Sequence, residues 1–296
     1  MISNASIDPK TLSLGSGETI VRFSVVTPCY NSAHYLEETI ESVLNQTAFR
    51  SGRAQLDYWI IDGGSTDDTP AILEKYRALG VNVICERDGG MYDALAKGFR
   101  RVKGEICCYI NAGDYYHPNA FDVVLEVMAN NSVHWLMGMY IIYNEKSQVI
   151  LAQHAKRRDR VWIQKGYYGR LLPHLQQEST FWRSELLKLV DFERLIKFRF
   201  AGDFYLWHCF ATKHELRSVS SYLGGFKFHA GQLSEQADRY SAEVEQICGR
   251  KINILDRASA LASRILEKFS TRSFLISIGY DRSIYWDNQR QCWIVN

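Results

Sequence analysis

The sequence predicts an α/β protein built on a mainly parallel sheet, and two patterns carry that reading. Short apolar runs recur at 22–27 (RFSVVT), 57–62 (DYWIID), 81–86 (VNVICE) and 105–110 (EICCYI). Between them lie stretches of helical periodicity at 33–46, 68–79 and 91–102. Strand and helix alternating at this rhythm make βαβ units, whose crossovers return each strand parallel to the last.

Each element has its own justification. The helix at 33–46 places Leu36, Ile40, Val43 and Leu44 at helical spacing. That at 68–79 does so with Ile72, Leu73 and Tyr76, and that at 91–102 with Met91, Leu95, Phe99 and Val102. Past residue 118 the alternation fades into a helix at 119–129, apolar runs at 133–143 and 148–152, and a Trp/Tyr-rich stretch. A helix near 203–212 and a strand at 221–228 follow. Residues 233–272 read as helical. Their apolar stripe runs Ile252, Leu255, Leu261, Ala262, Ile265, Leu266, Phe269, accompanied by Lys251, Arg257, Arg264, Lys268 and Arg272. The expected organisation is a flexible leader at 1–20, one domain at 21–232 and a helical C-terminal extension at 233–296.

Composition narrows the class. Apolar content of 46% and charged content of 23% are those of an ordinary globular protein. A formal net charge of +2 supplies no field that selects nucleic acid. Seven cysteines, odd in number and without C-x-x-C spacing, argue against a disulfide framework and a zinc site, and for a reducing cytosol. No signal peptide and no membrane span is read, so a cytoplasmic protein is expected.

In open parallel sheets, ligands bind beyond the carboxyl ends of the strands. Here those ends are Thr27-Pro28-Cys29-Tyr30-Asn31, Asp62-Gly63-Gly64-Ser65, Glu86-Arg87-Asp88-Gly89-Gly90 and Asn111-Ala112-Gly113-Asp114. All are polar and small, and three present acids. A turn alone explains any one of them; backbone closely approached by a ligand explains the four together. Neither G-x-x-x-x-G-K-[ST] nor G-x-G-x-x-G is present to cradle phosphates. Acids suit the donor groups of ribose and base, and one further acid suits a divalent cation on a diphosphate.

The blocks "FSVVTPCYNSAHYLEETIESVLNQT", "WIIDGGSTDDT", "ERDGGMYDALAKGFRRVKGEICCYINAGD", "QQESTFWRSELL", "FAGDFYLWHCF" and "GGFKFHAGQLS" resemble, in this order, the family 2 glycosyltransferases of bacterial polysaccharide synthesis. The resemblance spans 22–234. It implies a GT-A fold, a nucleotide-sugar donor (a UDP-sugar), Mn²⁺ or Mg²⁺, and inversion at the anomeric carbon. By it, Thr27, Pro28, Tyr30 and Asn31 line the nucleoside pocket, with Asp62, Gly63, Ser65 and Asp88 at base and ribose. Lys97 reaches the phosphates or braces its loop, or simply pairs with Asp93. Asn111 and Ala112 adjoin the diphosphate. Asp114 is the surviving carboxylate of a DXD-type motif, with His229 a second candidate at metal or diphosphate.

Asn111 and Gly113 stand where many relatives have acids, which implies a weakly held cation. Asp203 matches the second acid of the ED motif, Gly202 replacing the first, and is the expected base. An N-cap is its local alternative, and a helix N-terminus would depress its pKa. Gln177 and Glu178 are placed at sugar hydroxyls, Glu178 being the second candidate base. Trp207 is a candidate for stacking on a sugar, as against core packing. The resemblance further implies a saccharide acceptor, polyprenyl-diphosphate-linked, at the cytoplasmic face of the inner membrane. The basic amphipathic tail would either lie on that membrane or pack on its own domain or on a second subunit of a homo-oligomer. A non-catalytic, nucleotide-sugar-binding scaffold is the rival reading. A nucleotidyltransferase lacks support, because "TPCYNSAHY" has no lysine, arginine or glycine.

Overall fold

The computed structural model describes residues 20–154, 158–228 and 236–295. The first half is the expected alternation: β1 (Arg22–Cys29), α1 (Ala33–Leu44), the short α2 (Thr47–Arg50), β2 (Gln55–Asp62), α3 (Thr69–Arg77), β3 (Asn82–Cys85), α4 (Met91–Phe99) and β4 (Ile106–Tyr109). Then come β5 (Tyr115–Tyr116), α5 (Ala120–Met128), β6 (Trp135–Met137), β7 (Tyr140–Tyr143), β8 (Val149–Gln153) and α6 (Arg160–Gln164). A 3-10 turn at Gln177–Ser179 leads into β9 (Thr180–Arg183), α7 (Phe192–Leu195), α8 (Gly202–Phe210), β10 (Arg217–Ser218) and β11 (Gly224–Lys227). The extension holds α9 (Ala237–Cys248), α10 (Ile254–Phe269), α11 (Arg272–Ser277) and a hairpin of β12 (Tyr285–Asp287) and β13 (Cys292–Ile294).

The main sheet has seven strands in the order β10-β6-β9-β4-β1-β2-β3. β1 runs parallel to both β2 and β4, and only β9 opposes its neighbours. Seven of the eight β1 residues are buried, as a strand covered on both faces must be. Because the chain builds outward from β1 first to β2 and β3 and then to β4, strand order reverses between β1 and β4. A crevice is expected at the carboxyl ends of those two strands. A second sheet, β5-β11-β7-β8, stands beside it.

The strand β9 was not anticipated. It fits between β4 and β6 and carries Trp182 into an aromatic core with Trp135, Trp207 and Phe210. The extension is not a separate lobe. Its α9 packs on α8, and its hairpin returns to the body, where Trp293 Nε1 donates to Glu126 at 3.2 Å. The expected leader at 1–20 lies, but for Ile20, outside the described residues, as does the 229–235 junction. Among the described residues no helix is long and apolar enough to cross a membrane.

Helix α4 lies against β1 through Gly98. A Cβ there would stand 2.5 Å from Val26 Cγ1 and 3.1 Å from Cγ2. Alanine gains at most about 1 kcal/mol in helix propensity, whereas overpacking a rigid core costs about 1–3 kcal/mol. Gly98→Ala is therefore expected to lower stability by about 1–2 kcal/mol in urea unfolding. An unchanged or higher midpoint would show that Val26 moves aside freely.

Candidate active site

The loops after β1 and β2 are tied into one unit. Asn31 adopts φ 48°, a left-handed conformation that asparagine tolerates better than most residues. Its N–H then donates to Ser65 Oγ at 2.8 Å, and its Oδ1 accepts from the Thr66 N–H at 2.8 Å. Ser65 in turn donates through N–H and hydroxyl to the buried Asp62. Asp88 meets this unit at Gly63, where any Cβ would lie 3.0 Å from Asp88 Oδ2. Burial pushes the Asp88 pKa up, against the opposing hydrogen bond from the Gly90 N–H. Tyr30 is 61% exposed, leaving its ring open to stack on a planar group.

One expectation here changes, and another narrows to one of its stated alternatives. Thr27 and Pro28 are buried within β1, and the Thr27 hydroxyl is engaged by Tyr58 at 2.9 Å, so they form the floor beneath the crevice. Lys97 lies 3.0 Å from Glu86 and 3.7 Å from Asp93, and donates to the Arg87 carbonyl at 3.3 Å. It braces the 86–90 loop.

At the end of β4 the chain turns sharply. Gly113 takes φ 110°, and its N–H donates to Thr39 Oγ1 at 2.9 Å. That hydroxyl donates to the Asp114 carbonyl at 2.8 Å. The Asp114 side chain, 3% exposed, accepts from the Lys227 N–H at 2.9 Å and from Gln177 Nε2 at 3.4 Å. Glu178 is buried beside it, locked by Gly224, whose Cβ would come within 2.1 Å of the Glu178 carbonyl oxygen.

Burial pushes both carboxyl groups up, and the Asp114 charge further raises the cost of ionising Glu178. The backbone N–H and ammonium of Lys227 oppose this only at Asp114. Asp114 is therefore the member that ionises first. Lys227, paired with Glu38 at 2.5 Å, carries that cation into the site.

Three buried oxygens here, Asn111 Oδ1, Gln177 Oε1 and Glu178 Oε1, have no hydrogen-bond partner among the described residues. Orphaned acceptors of this kind need a donor or a cation. Among the described residues no three His, Cys, Asp or Glu side chains converge into a protein-only metal cage. One carboxylate with neighbouring amide oxygens nonetheless fits a hard cation such as Mg²⁺ or Mn²⁺ that keeps other ligands from substrate and water. Ala112 is half-buried in the turn that carries this group. His229 lies outside the described residues.

Asp203 opens α8, as expected, but its protonation differs from expectation. Burial outweighs the helix N-terminus and the Tyr92 and Tyr240 hydroxyls, and raises its pKa to about 7. Tyr92, 3.5 Å from Asp203, donates to the Phe200 carbonyl at 3.0 Å. Its ring occupies the space a side chain at 202 would need, a Cβ there lying 2.5 Å away. From the extension, Glu243 accepts N–H bonds from Arg199, Phe200 and Ala201 at 2.7–2.9 Å and so fixes the start of α8.

Trp207 is corrected outright. It is 0% exposed and stacks on Trp135 at 5.8 Å, so it presents no face to a sugar. Sequence reasoning missed Lys227, Tyr92, Tyr240 and Glu243. The only signal for Lys227 was a charge set between two phenylalanines in an apolar strand.

The family described as Glycosyl transferase family 2 matches residues 24–192, which include Asp62, Asp88, Asp114 and Glu178. The chain belongs to glycosyltransferase family 2. An uncharacterized glycosyltransferase of Rickettsia prowazekii is 24% identical over 86% of this chain and 78% of its own. Chondroitin synthase of Escherichia coli is 31% identical over 35% of this chain, but this covers only 15% of that larger protein. Among solved structures, S. aureus TarS 1-349 in complex with UDP has a TM-score of 0.55 at 18% identity, covering 87% of this chain and 75% of that one. The chain spans 45% of the longer TarS chain. Mannosyltransferase PcManGT of Pyrobaculum calidifontis, solved with GDP-Man and Mn²⁺, has a TM-score of 0.53 at 16% identity over 94% of this chain and 83% of that one. The fold of this family 2 member is therefore GT-A.

A carboxyl group with a raised folded pKa binds its proton more tightly when folded. The stability it contributes is present at low pH and lost as pH climbs from about 4 through about 7. Asp203→Asn should flatten that dependence. It is expected to be more stable than the wild type by up to about 4 kcal/mol at pH 8, with the two converging near pH 4. Urea unfolding across pH measures this, and parallel curves would show that Asp203 is not the group responsible.

Proposed function

We propose that this family 2 enzyme is an inverting, cation-assisted transferase that moves a sugar from a UDP-sugar to a saccharide acceptor in cell-surface polysaccharide synthesis. The observation that carries the reading is the gathering of Asp114, Glu178 and Asp203 beside the crevice at β1 and β4. The nucleotide-facing loops are tied together on its other side. UDP as the nucleotide is supported by the TarS structure solved with it, and polysaccharide as the product by the likeness to chondroitin synthase.

In this reading Asn31, Asp62, Ser65 and Asp88 hold base and ribose, with Tyr30 stacked on the ring. Asp114 would hold Mg²⁺ or Mn²⁺, assisted by Asn111 and by oxygens of the donor, with His229 as a further candidate ligand. Such a cation, when bound, neutralises charge developing on the departing diphosphate. Lys227 adds a second cation at the same end. Burial and the Asp114 charge push the Glu178 pKa up, and in its protonated form it donates a hydrogen bond to a sugar hydroxyl, next to Gln177. Asp203 accepts the proton of the acceptor hydroxyl. The acceptor oxygen bonds to the anomeric carbon from the face opposite the diphosphate, and the carbon–phosphate-oxygen bond breaks. A base with a pKa near 7 combines ionisation with basicity at neutral pH. The acceptor class is a polyprenyl-diphosphate-linked saccharide met at the cytoplasmic face of the membrane. The non-catalytic alternative gains nothing from a carboxyl group poised in this way.

Calorimetric titration of UDP, GDP and dTDP, with and without Mn²⁺, tests the donor site. UDP is expected to bind with the cation, and Asp114→Asn to weaken it at least about tenfold. Absence of binding by every nucleotide would remove the reading. With a competent acceptor, Asp203→Asn should lower kcat about 10²–10⁴-fold with little change in donor KM. The wild-type kcat/KM should fall as pH drops below about 7, the side on which Asp203 becomes protonated. A profile flat down to pH 5 would assign the base elsewhere.

A further inference from the structure

Helix α10 is seated the wrong way round for a helix that packs on its own domain. Its buried positions are Asp256, Ala260 and Ser263. Asp256 accepts from Tyr167 at 2.7 Å and from Arg250 at 2.6 Å, and Ser263 bonds the Tyr280 hydroxyl. The polar face is thus fixed by specific bonds, and the apolar stripe points away from the body. Leu255, Leu261, Ile265 and Phe269 are 73%, 57%, 50% and 76% exposed. The short α11 continues the pattern with Phe274 at 49% and Ile278 just beyond it at 52%. Scattered exposed apolar residues need no explanation, but a continuous set on two successive helices marks an interaction surface.

Charge identifies what the surface meets. Lys251, Arg257, Arg264, Lys268 and Arg272 are all exposed on the same two helices and their approach. The acids of this region, Asp256, Glu267 and Asp281, are at most half-exposed and engaged by Arg250, Tyr280 and Arg272 respectively. What solvent meets is an apolar stripe with basic flanks and no exposed acid. A second copy docking through the same face would set these bases against each other, because a two-fold contact pairs a patch with itself. A bilayer carrying anionic headgroups accepts both features at once. We propose that the α10–α11 face is a membrane-docking surface that lies in the interface of an anionic bilayer, with Leu261, Ile265, Phe269 and Phe274 entering the acyl boundary. This gives the membrane contact proposed above a specific surface, yet it does not depend on the donor reading.

Flotation of the full-length protein with phosphatidylcholine vesicles, with and without phosphatidylglycerol, tests the surface without any nucleotide. Binding is expected only to the anionic vesicles and should weaken with salt. Arg264→Gln with Lys268→Gln should lower the partition coefficient about thirtyfold, and Ile265→Gln with Phe269→Gln should lower it at least tenfold. All four positions are exposed, so unfolding midpoints and UDP binding should match the wild type. Equal binding to neutral and anionic vesicles overturns the proposal, as do variants that float like the wild type. So does a dimer in light scattering that Ile265→Gln with Phe269→Gln converts to monomer, since the occupant would then be a second copy. Loss of UDP binding in the wild type would overturn the donor reading and leave this surface untouched.

Discussion

The structure is organised around the cost of burying Asp114. A carboxylate with 3% exposure is tolerated only where donors reach it, and those donors come from distant parts of the chain. The Lys227 N–H arrives from the last strand of the domain and the Gln177 amide from the 3-10 turn, while Thr39 on α1 clamps the turn that carries the aspartate. These bonds bring the second sheet against the end of β4. They also explain the small residues around it. Gly113 supplies a left-handed turn, and Gly224 lets β11 pass the Glu178 carbonyl where any Cβ would collide.

One consequence is electrostatic. Three carboxyl groups share a poorly solvated region, and burial raises the pKa of each, but their neighbours differ. Asp114 has the Lys227 ammonium and N–H in its favour; Glu178 has the Asp114 charge against it. Environment alone thus sets chemically identical groups apart, and the proposed roles of cation ligand, hydrogen-bond donor and base draw on that difference. The extension takes part in this division. Tyr240 of α9 bonds Asp203, and Glu243 holds the three N–H groups that precede α8. Although the extension was legible only as an appendage, it forms the back wall of the site.

The parallel half of the fold was readable because β1 and β4 are buried runs and β2 is buried towards its end, all bounded by turn residues, and their helices keep strict periodicity. The later half was not. β9 is four residues long and joins the sheet antiparallel, with its aromatic residues set by packing rather than by alternation. The positions of Asp62, Asp88, Asp114 and Asp203 were visible as acids at strand and helix ends. Their protonation was not, since it depends on burial that no local pattern encodes. The expected lowering at Asp203 treated the helix N-terminus as dominant, whereas desolvation exceeds it once Tyr92 and Tyr240 close over the group. Trp207 failed for a related reason. An aromatic on a helix beside a buried acid can face either the ligand or the core, and only the stack on Trp135 decides.

The same ambiguity attends every amphipathic stripe, and α10 shows how it resolves. Periodicity located the apolar face correctly but said nothing about which face the body holds. A capping box at Asn253 and Asp256, the Tyr167 and Arg250 bonds to Asp256, and the Ser263–Tyr280 contact are directional. Apolar burial has no such direction. Directional bonds therefore set the rotation of the helix, and the hydrophobic stripe is left for whatever the solvent side offers. Leaving that much apolar surface in water opposes folding of the isolated chain, at about 25 cal/mol for each Å² exposed. An arrangement in which specific hydrogen bonds hold a helix against that gradient is what a surface built to meet an apolar phase requires. With the proposed lipid-linked acceptor, such a surface would set the distance and tilt of the crevice relative to the reacting hydroxyl.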